Sequence, residues 1–141
     1  MSIWKIEPTL EMLNNTSHQT INQTLGIEFT EVGPDYLIAK MPIDHRTCQP
    51  MGILHGGASG VLAETLGSVA SVFCIDAENA HPVGIELNLS HLNAGKPGTA
   101  FGRVEPIRVG RKIHVWKIDL HDANGVHLCT SRLTVAVVSR K

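Results

Sequence analysis

The sequence lacks a cysteine pattern that could build a disulfide framework or a zinc site. Its three cysteines, Cys48, Cys74 and Cys129, are odd in number, far apart and never arranged as C-x-x-C. Disulfide-rich domains and zinc knuckles use paired, closely spaced cysteines, so this chain is predicted to be neither. Free thiols are typical of a reducing compartment, and we expect no metal site.

The chain also lacks an excess of charge of either sign. Twelve Lys and Arg side chains stand against thirteen Asp and Glu, which gives a formal net charge of −1 at pH 7. Proteins that bind nucleic acid or anionic lipid usually present a basic patch. We therefore expect neither a nucleic-acid partner nor a membrane partner.

No segment has the pattern of a signal peptide or a typical membrane span. The N-terminus, MSIWKIEPTLEML, has no cationic start followed by an apolar run. Residues 57–75 are long and apolar enough to be considered as a span, but they are rich in Gly, Ala and Ser and contain Glu64. A carboxylate inside a span is costly, so this stretch predicts a buried helix of a cytoplasmic protein.

No linker, repeat or low-complexity tract divides the 141 residues, which predicts a single domain over residues 1–141. A short helix is expected over residues 8–15, followed by two strands around Gly33-Pro34-Asp35. After the helix at 57–75, strands are expected at 81–92, 99–109, 112–122 and 126–138. Strands joined by tight turns favour an antiparallel sheet that the long helix must cover, so the predicted class is α+β.

The long helix has three distinct faces at a period of 3.6 residues. Large apolar side chains share one face: Leu62, Leu66, Val69 and Phe73. Small residues share a second face: Ala63, Gly67, Ala70 and Cys74. The third face carries Gly57, Val61, Glu64 and Ser68. We expect the large face to pack on the chain's own sheet, and the other two to meet another chain or a ligand.

Glu64 is the one charged side chain inside this helix. Burying an ionised carboxylate without a partner is costly, so Glu64 is either held by an arginine or backbone donors, or it works in a site. Ser68 lies one turn away, and Gly56 opens the helix where free N–H groups and the positive end of the dipole are found. Gln49 and His55 precede the helix. A carboxylate, an amide, an imidazole and exposed N–H groups together favour acyl transfer.

Other catalytic motifs fit less well. The segment GGASG misses the spacing of the G-x-S-x-G nucleophile elbow, because Ser59 is followed directly by Gly60. The glycine spacing matches neither a dinucleotide-binding fingerprint nor a P-loop, and H-E-x-x-H does not occur.

Nearly the whole chain resembles the hotdog-fold acyl-CoA thioesterases, in the branch of the 4-hydroxybenzoyl-CoA and phenylacetic-acid-pathway enzymes. The matching segments are MPIDHRTCQPMGILHGGASGVLAETLGSVA, VGIELNLSHL, VGRKIHVWKIDL and LCTSRLTVAVV. Within that branch the chain is similar to bacterial thioesterases that act on 1,4-dihydroxy-2-naphthoyl-CoA in menaquinone synthesis, or on misloaded aryl carrier proteins in enterobactin synthesis. The resemblance implies an antiparallel sheet wrapped around one long central helix. It also implies a homodimer, usually assembled into a homotetramer, whose sites each draw on two subunits.

The resemblance further implies roles for single residues. Glu64 matches the acidic nucleophile or general base, and Gly56 matches the residue whose N–H polarises the thioester carbonyl. Gln49 and His55 match residues that orient the thioester and the attacking water. Contacts to substrate or CoA are expected from Val61, Thr65, Ser68, Gly84, His91, Leu92, Asn93, Ala94, Arg108, Val109, Gly110, Arg111 and Lys112. Asn93 stands where relatives often have Arg, which puts the CoA contact at that position in question.

The expected reaction is hydrolysis of an acyl-CoA to a free acid and a thiol, with no cofactor other than the CoA of the substrate. Val61, Thr65 and Ser68 give the acyl pocket an apolar wall with hydroxyls, which favours hydroxylated aryl groups over long saturated chains. Medium-chain acyl-CoAs are a further expected class of substrate. An acyl or aryl carrier protein is a second expected partner. Two alternatives stay open: a hotdog protein that binds acyl-CoA without turnover, and a hotdog hydratase or dehydratase.

Overall fold

Within residues 1–140, which the computed structural model describes, three helices and six strands follow one another along the chain. The helices are α1 (Leu10–Asn15), α2 (Ile21–Leu25) and α3 (Gly56–Phe73). The strands are β1 (Glu28–Val32), β2 (Leu37–Ile43), β3 (Ala80–His91), β4 (Gly98–Val109), β5 (Ile113–Asp122) and β6 (His127–Ser139).

The strands form one antiparallel sheet in the order β1-β2-β4-β5-β6-β3. Short turns connect β1 to β2, β4 to β5 and β5 to β6, and the last of these contains Gly125 with φ of 81°. That left-handed conformation is one that glycine adopts at no steric cost, as the Asn124-Gly125 hairpin signal predicts. The chain through α3 carries β3 to the far side of the sheet, where it pairs with β6. The other side of β3 is a free edge.

Helix α3 packs against the sheet with two of its faces. Leu62 and Leu66 are fully buried, as predicted for the large face, and together contribute roughly 3–6 kcal/mol of burial free energy. Ala63 and Gly67 are buried too, and a Cβ on Gly67 would lie 2.5 Å from Leu133 of β6. The expectation that the small face meets another chain or a ligand is therefore wrong, because its small side chains instead allow this chain's own sheet to approach.

The predicted α+β class is confirmed, and the long helix and last four strands begin and end within two residues of their predicted bounds. Helix α2 was not predicted. It is only five residues long, so its two apolar side chains, Ile21 and Leu25, are too few to reveal a helical period. Its end is set by Gly26, whose φ of 72° is left-handed.

Candidate active site

Glu64 lies in the middle of α3, where the helix faces β3. Its carboxylate oxygen Oε2 is buried and has no hydrogen-bond partner within residues 1–140. Gly84 of β3 lies against it, since a Cβ on Gly84 would stand 3.2 Å from Oε2. Burial raises the pKa of Glu64, because the charged form loses solvation. The sequence left open a structural carboxylate held by an arginine or by backbone donors, and the described residues offer this oxygen neither.

The first turn of α3 presents hydrogen-bond donors. His55 caps the helix, and its Nδ1 accepts a hydrogen bond from the Gly57 N–H at 2.7 Å. A neutral imidazole that accepts at Nδ1 carries its proton on Nε2, so His55 has an N–H donor on its other side. The Gly56 N–H has no acceptor within residues 1–140. Two donors therefore stand at the positive end of the helix dipole, where they suit an oxygen that gains negative charge.

The loop between β2 and α3 fixes the orientation of Gln49. Its backbone N–H donates to the Ile53 carbonyl at 2.9 Å, and its side-chain Oε1 accepts a hydrogen bond from the Met51 N–H. Because Oε1 is engaged, the side-chain Nε2 is left to donate to another group. The same loop is anchored by the buried Thr47, whose carbonyl accepts from the His55 N–H at 2.8 Å. One hydrogen-bonded loop thus positions both Gln49 and His55.

A cavity of about 360 Å³ opens beside the start of α3. Its walls include Gly56 and the predicted substrate contacts that end β3 and follow it: His91, Leu92, Asn93 and Ala94. The His91 ring lies against the helix start, since a Cβ on Gly56 would stand 2.8 Å from His91 Nε2. Asn93 donates through Nδ2 to the His127 carbonyl at 2.8 Å, so its amide is tied to β6.

Glu64 and Gly56 are too far apart to act on one carbonyl group within a single chain. They are eight residues apart on α3, a separation of about 12 Å along the helix axis at 1.5 Å per residue. The carbon and oxygen of a carbonyl group are only about 1.2 Å apart. One chain therefore holds the two halves of the candidate site at separate places.

The other predicted pocket residues on α3 differ in their surroundings. Val61 and Ser68 are half-buried and follow the helical spacing of Glu64. Thr65 instead donates its hydroxyl to Asn22 Oδ1 at 3.0 Å, which ties α3 to α2. Asn22 thus lies beside the candidate acyl pocket. Sequence reasoning missed it, because the five residues of α2 are too few to give a helical period.

The predicted CoA contacts of residues 108–112 lie at the other end of α3. Four of them, Val109 to Lys112, line a cavity of about 700 Å³ together with Cys74, which caps the C-terminus of the helix. Lys5, Arg111 and Lys112 contribute positive charge to its wall, and Asp76 contributes one negative charge close to Lys5. Within one chain, this turn and the segment 91–94 are not brought together.

The three cysteines are free thiols, and the two buried ones are poor nucleophiles. Burial raises the pKa of Cys74 to about 12 and that of Cys129 to about 11. The described part of the chain contains no group of three His, Cys, Asp or Glu side chains placed to hold a metal ion. None of the helices in residues 1–140 combines the length and apolar character needed to cross a bilayer.

One antiparallel sheet of six strands packed on a single long helix is the arrangement of the hotdog fold. Residues 51–129 match the thioesterase superfamily. The chain belongs to this family, and it is an enzyme that hydrolyses thioesters.

Known relatives cover almost the whole chain. It is 47% identical over 136 residues to the proofreading thioesterase EntH of Cronobacter turicensis, covering 96% of this chain and 98% of the relative. It is 43% identical over 136 residues to the 1,4-dihydroxy-2-naphthoyl-CoA hydrolase of Escherichia coli, covering 96% and 99%. The crystal structure of a glutamine-to-alanine variant of a Pseudomonas aeruginosa thioesterase superposes with a TM-score of 0.97 at 44% identity, covering 99% and 100%. The predicted family and fold are confirmed.

Proposed function

We propose that this protein hydrolyses acyl-CoA thioesters with Glu64 as the reacting carboxylate. The observation that carries the proposal is the buried Oε2 atom, which has no hydrogen-bond partner within residues 1–140. A buried polar atom without a partner is costly, and a catalytic role is one reason for a protein to keep such an atom. Burial also raises the pKa of Glu64, which makes its carboxylate a stronger base than an exposed one.

In this proposal a second copy of the chain completes the site. The β3 strand has a free edge, and its Val83 and Ile85 side chains are exposed. Two β3 strands paired antiparallel about a two-fold axis set the start of each strand beside the end of the other. Gly84 of one copy then approaches His91 of the second copy. Within each chain Gly84 lies against Glu64 and His91 lies against Gly56, so this pairing brings Glu64 of one copy towards Gly56 of the other. We propose this homodimer as the smallest active unit, assembled further into a homotetramer.

The reaction follows from this pairing. The thioester oxygen accepts hydrogen bonds from the Gly56 N–H and the His55 Nε2–H of one copy, while Gln49 orients the thioester or the water. Glu64 of the other copy attacks the carbonyl carbon to give a mixed anhydride that water hydrolyses, or it takes a proton from water that attacks instead. Either way the C–S bond breaks, the thiol leaves with a proton, and the acid keeps an oxygen from water. Each lost oxyanion donor costs roughly 10²–10³ in rate.

Hydroxylated aryl groups are the proposed acyl substrates. Val61 and Ser68 are half-buried at the helical spacing of Glu64, so in this proposal they give the acyl pocket apolar surface and a hydroxyl. A buried hydroxyl without a partner costs about 1–3 kcal/mol. Two relatives are named as a 1,4-dihydroxy-2-naphthoyl-CoA hydrolase and a proofreading thioesterase. We also propose a place in menaquinone synthesis, or action on an aryl carrier protein, as the family resemblance implies.

The CoA part of the substrate is proposed to lie between the two cavities. Ala80 at the start of β3 lines the larger cavity and His91 at its end lines the smaller one, so antiparallel pairing of β3 brings the cavities of two copies together. Arg111 and Lys112 suit the phosphates of CoA. We propose that residues 1–141 form one cytoplasmic domain that needs no other cofactor.

Release of free thiol from benzoyl-CoA, followed alongside the absorbance of an enoyl-CoA, tests the proposed reaction. The protein should release one thiol for each benzoate formed and leave the enoyl absorbance unchanged. A hydratase or dehydratase changes the enoyl absorbance without releasing thiol, and a binding protein does neither. Either of these results would refute the proposal.

A further inference from the structure

The smaller cavity has a polar side chain on its floor that has no partner within residues 1–140. Ser59, in the first turn of α3, lines this cavity and is 2% exposed. Its hydroxyl makes no hydrogen bond to the described residues, yet its Oγ atom is not sealed inside protein as Glu64 Oε2 is. The open space that this atom meets is therefore the cavity. A buried hydroxyl in this position is suited to a partner on a bound ligand.

The backbone of the helix does not take up this hydroxyl. A serine inside a helix often donates to the carbonyl four residues earlier, which here belongs to His55. That carbonyl already accepts from the Ala58 N–H at 3.0 Å and from the Ser59 N–H at 3.2 Å, so both of its lone pairs are engaged. The Ser59 hydroxyl therefore keeps one proton to donate and two lone pairs to accept.

The rest of the cavity is mostly apolar. Its mouth is formed by residues 91–94, which are exposed, whereas Ser59 and Leu128 are buried at its floor. The other polar side chains in its wall, His91 and Asn93, both lie at the mouth, and Asn93 is bonded to the His127 carbonyl. Apolar side chains make up much of the wall: Ile53, Leu54, Leu92, Ala94 and Leu128. A fitting ligand is a thin apolar chain with one polar group at the depth of Ser59.

We propose that Ser59 binds the amide nearest the sulfur in the pantetheine arm of CoA. This inference rests on the proposed function, in which the Gly56 N–H holds the thioester oxygen and CoA spans the smaller cavity of one copy and the larger cavity of the other. The arm is a chain of methylenes interrupted by amides. Its methylenes suit the apolar wall, and an amide, which both donates and accepts, suits a free hydroxyl.

The lengths of the helix turn and of the arm agree with this assignment. Ser59 lies three residues beyond Gly56 on α3, which is about 4.5 Å along the helix axis. Two methylenes separate the sulfur from the amide nitrogen, a span of roughly 4 Å at ordinary bond lengths. When the thioester oxygen is held at Gly56, the amide can therefore lie beside the Ser59 hydroxyl.

Two benzoyl thioesters that differ in this amide test the inference. Benzoyl-N-acetylcysteamine carries the amide, and S-pentyl thiobenzoate has a thiol chain of the same length without it. In Ser59→Ala, kcat/KM for the first should fall roughly tenfold, as expected for one lost hydrogen bond. For the second, kcat/KM should stay within about twofold of the wild type. Equal losses with both thioesters, or no loss with the first, would overturn the inference.

Thermal melting separates substrate binding from a role in the fold. Because the Ser59 hydroxyl has no partner within residues 1–140, the Tm of Ser59→Ala should equal or exceed that of the wild type. Ser71→Ala is the matched control on the same helix, since Ser71 is fully buried and accepts from the Trp116 indole N–H at 2.8 Å. This control should lower Tm and leave the ratio of the two kcat/KM values unchanged. A lower Tm for Ser59→Ala would show that its hydroxyl serves the fold and would overturn the inference.

Calorimetric titration distinguishes failure of this inference from failure of the proposed function. CoA contains the arm, whereas adenosine 3′,5′-bisphosphate has most of its nucleotide but no arm. Ser59→Ala should raise the Kd for CoA roughly tenfold and leave the Kd for the bisphosphate within about twofold. If the wild type releases thiol but both proteins bind CoA equally, this inference fails and the proposed function stands. If Ser59→Ala weakens CoA binding but the wild type releases no thiol, the proposed function fails alone.

Discussion

Replacing Glu64 by Gln should remove catalysis and leave the fold at least as stable as the wild type. The substitution keeps the shape of the side chain and removes the group that attacks the carbonyl or deprotonates water. Loss of a general base or nucleophile costs at least about 10²-fold in kcat, measured as thiol release from benzoyl-CoA. The Oε2 atom of Glu64 has no hydrogen-bond partner within residues 1–140, so replacing the carboxylate by an amide breaks no hydrogen bond to this atom and should cost the fold little stability.

The size of the stability effect can be worked from that buried oxygen. An unsatisfied buried polar group costs about 1–3 kcal/mol. Glu64 is only half-buried, and the Gln amide also lacks a partner, so the substitution should raise the free energy of unfolding by about 1 kcal/mol or less. In a protein of this size that raises Tm by roughly 3 °C. Because the folded-state pKa of Glu64 is raised, the wild type loses stability as the pH rises through that pKa. The Tm of Glu64→Gln should therefore exceed that of the wild type at pH 8, and the difference should vanish in acid, where the wild-type carboxyl is protonated.

Glu78→Gln is the matched control for this experiment. Glu78 is exposed, so the same chemical change there should alter neither kcat nor Tm. A Glu64→Gln protein that keeps more than about a tenth of the wild-type kcat would refute the catalytic role. A Tm well below that of the wild type at pH 8 would show that the carboxylate is held by donors and serves the fold.

Three further outcomes are expected. First, kcat/KM should fall with decreasing pH, with a midpoint above the ordinary glutamate range because burial raises the pKa of Glu64; a midpoint at or below that range would contradict the assignment. Second, Ile85→Lys at the free edge of β3 should reduce both the mass seen by light scattering and the activity, since a charged edge resists strand pairing, and a fully active monomer would rule out the shared site. Third, hydroxybenzoyl-CoA should have a higher kcat/KM than palmitoyl-CoA, and Ser68→Ala should narrow the gap between hydroxybenzoyl-CoA and benzoyl-CoA; a preference for palmitoyl-CoA would refute the pocket assignment.

Local signals in the sequence were enough to predict most of the fold. Asn124-Gly125 marked the β5–β6 hairpin, and the spacing of Leu62 and Leu66 marked the buried face of α3. The role of the small face could not be predicted, because the closeness of Gly67 to Leu133 depends on how the sheet curves around the helix. Periodicity reports which residues share a face, but not what covers that face.

The candidate site was predictable as a set of residues, but not as an arrangement. An isolated Glu64 in an apolar helix and the glycines at the helix start are visible in one stretch of sequence. Their separation within one chain follows from helix geometry once the helix is known to run unbroken from Gly56 to Phe73. The Thr65–Asn22 and Trp116–Ser71 hydrogen bonds each join residues more than forty positions apart, and no local pattern indicates such contacts.

Subunit complementation tests the central claim, which is that Glu64 of one copy works with the helix start of another. Glu64→Gln and His55→Ala should each be inactive alone, and the two proteins can be unfolded, mixed in equal amounts and refolded together. Half of the dimers are then mixed, and each mixed dimer has one site with both groups intact, so activity should recover to about a quarter of the wild-type level. If both groups of a site came from the same chain, every site would carry one defect. A mixture that stays as inactive as its components would contradict the account.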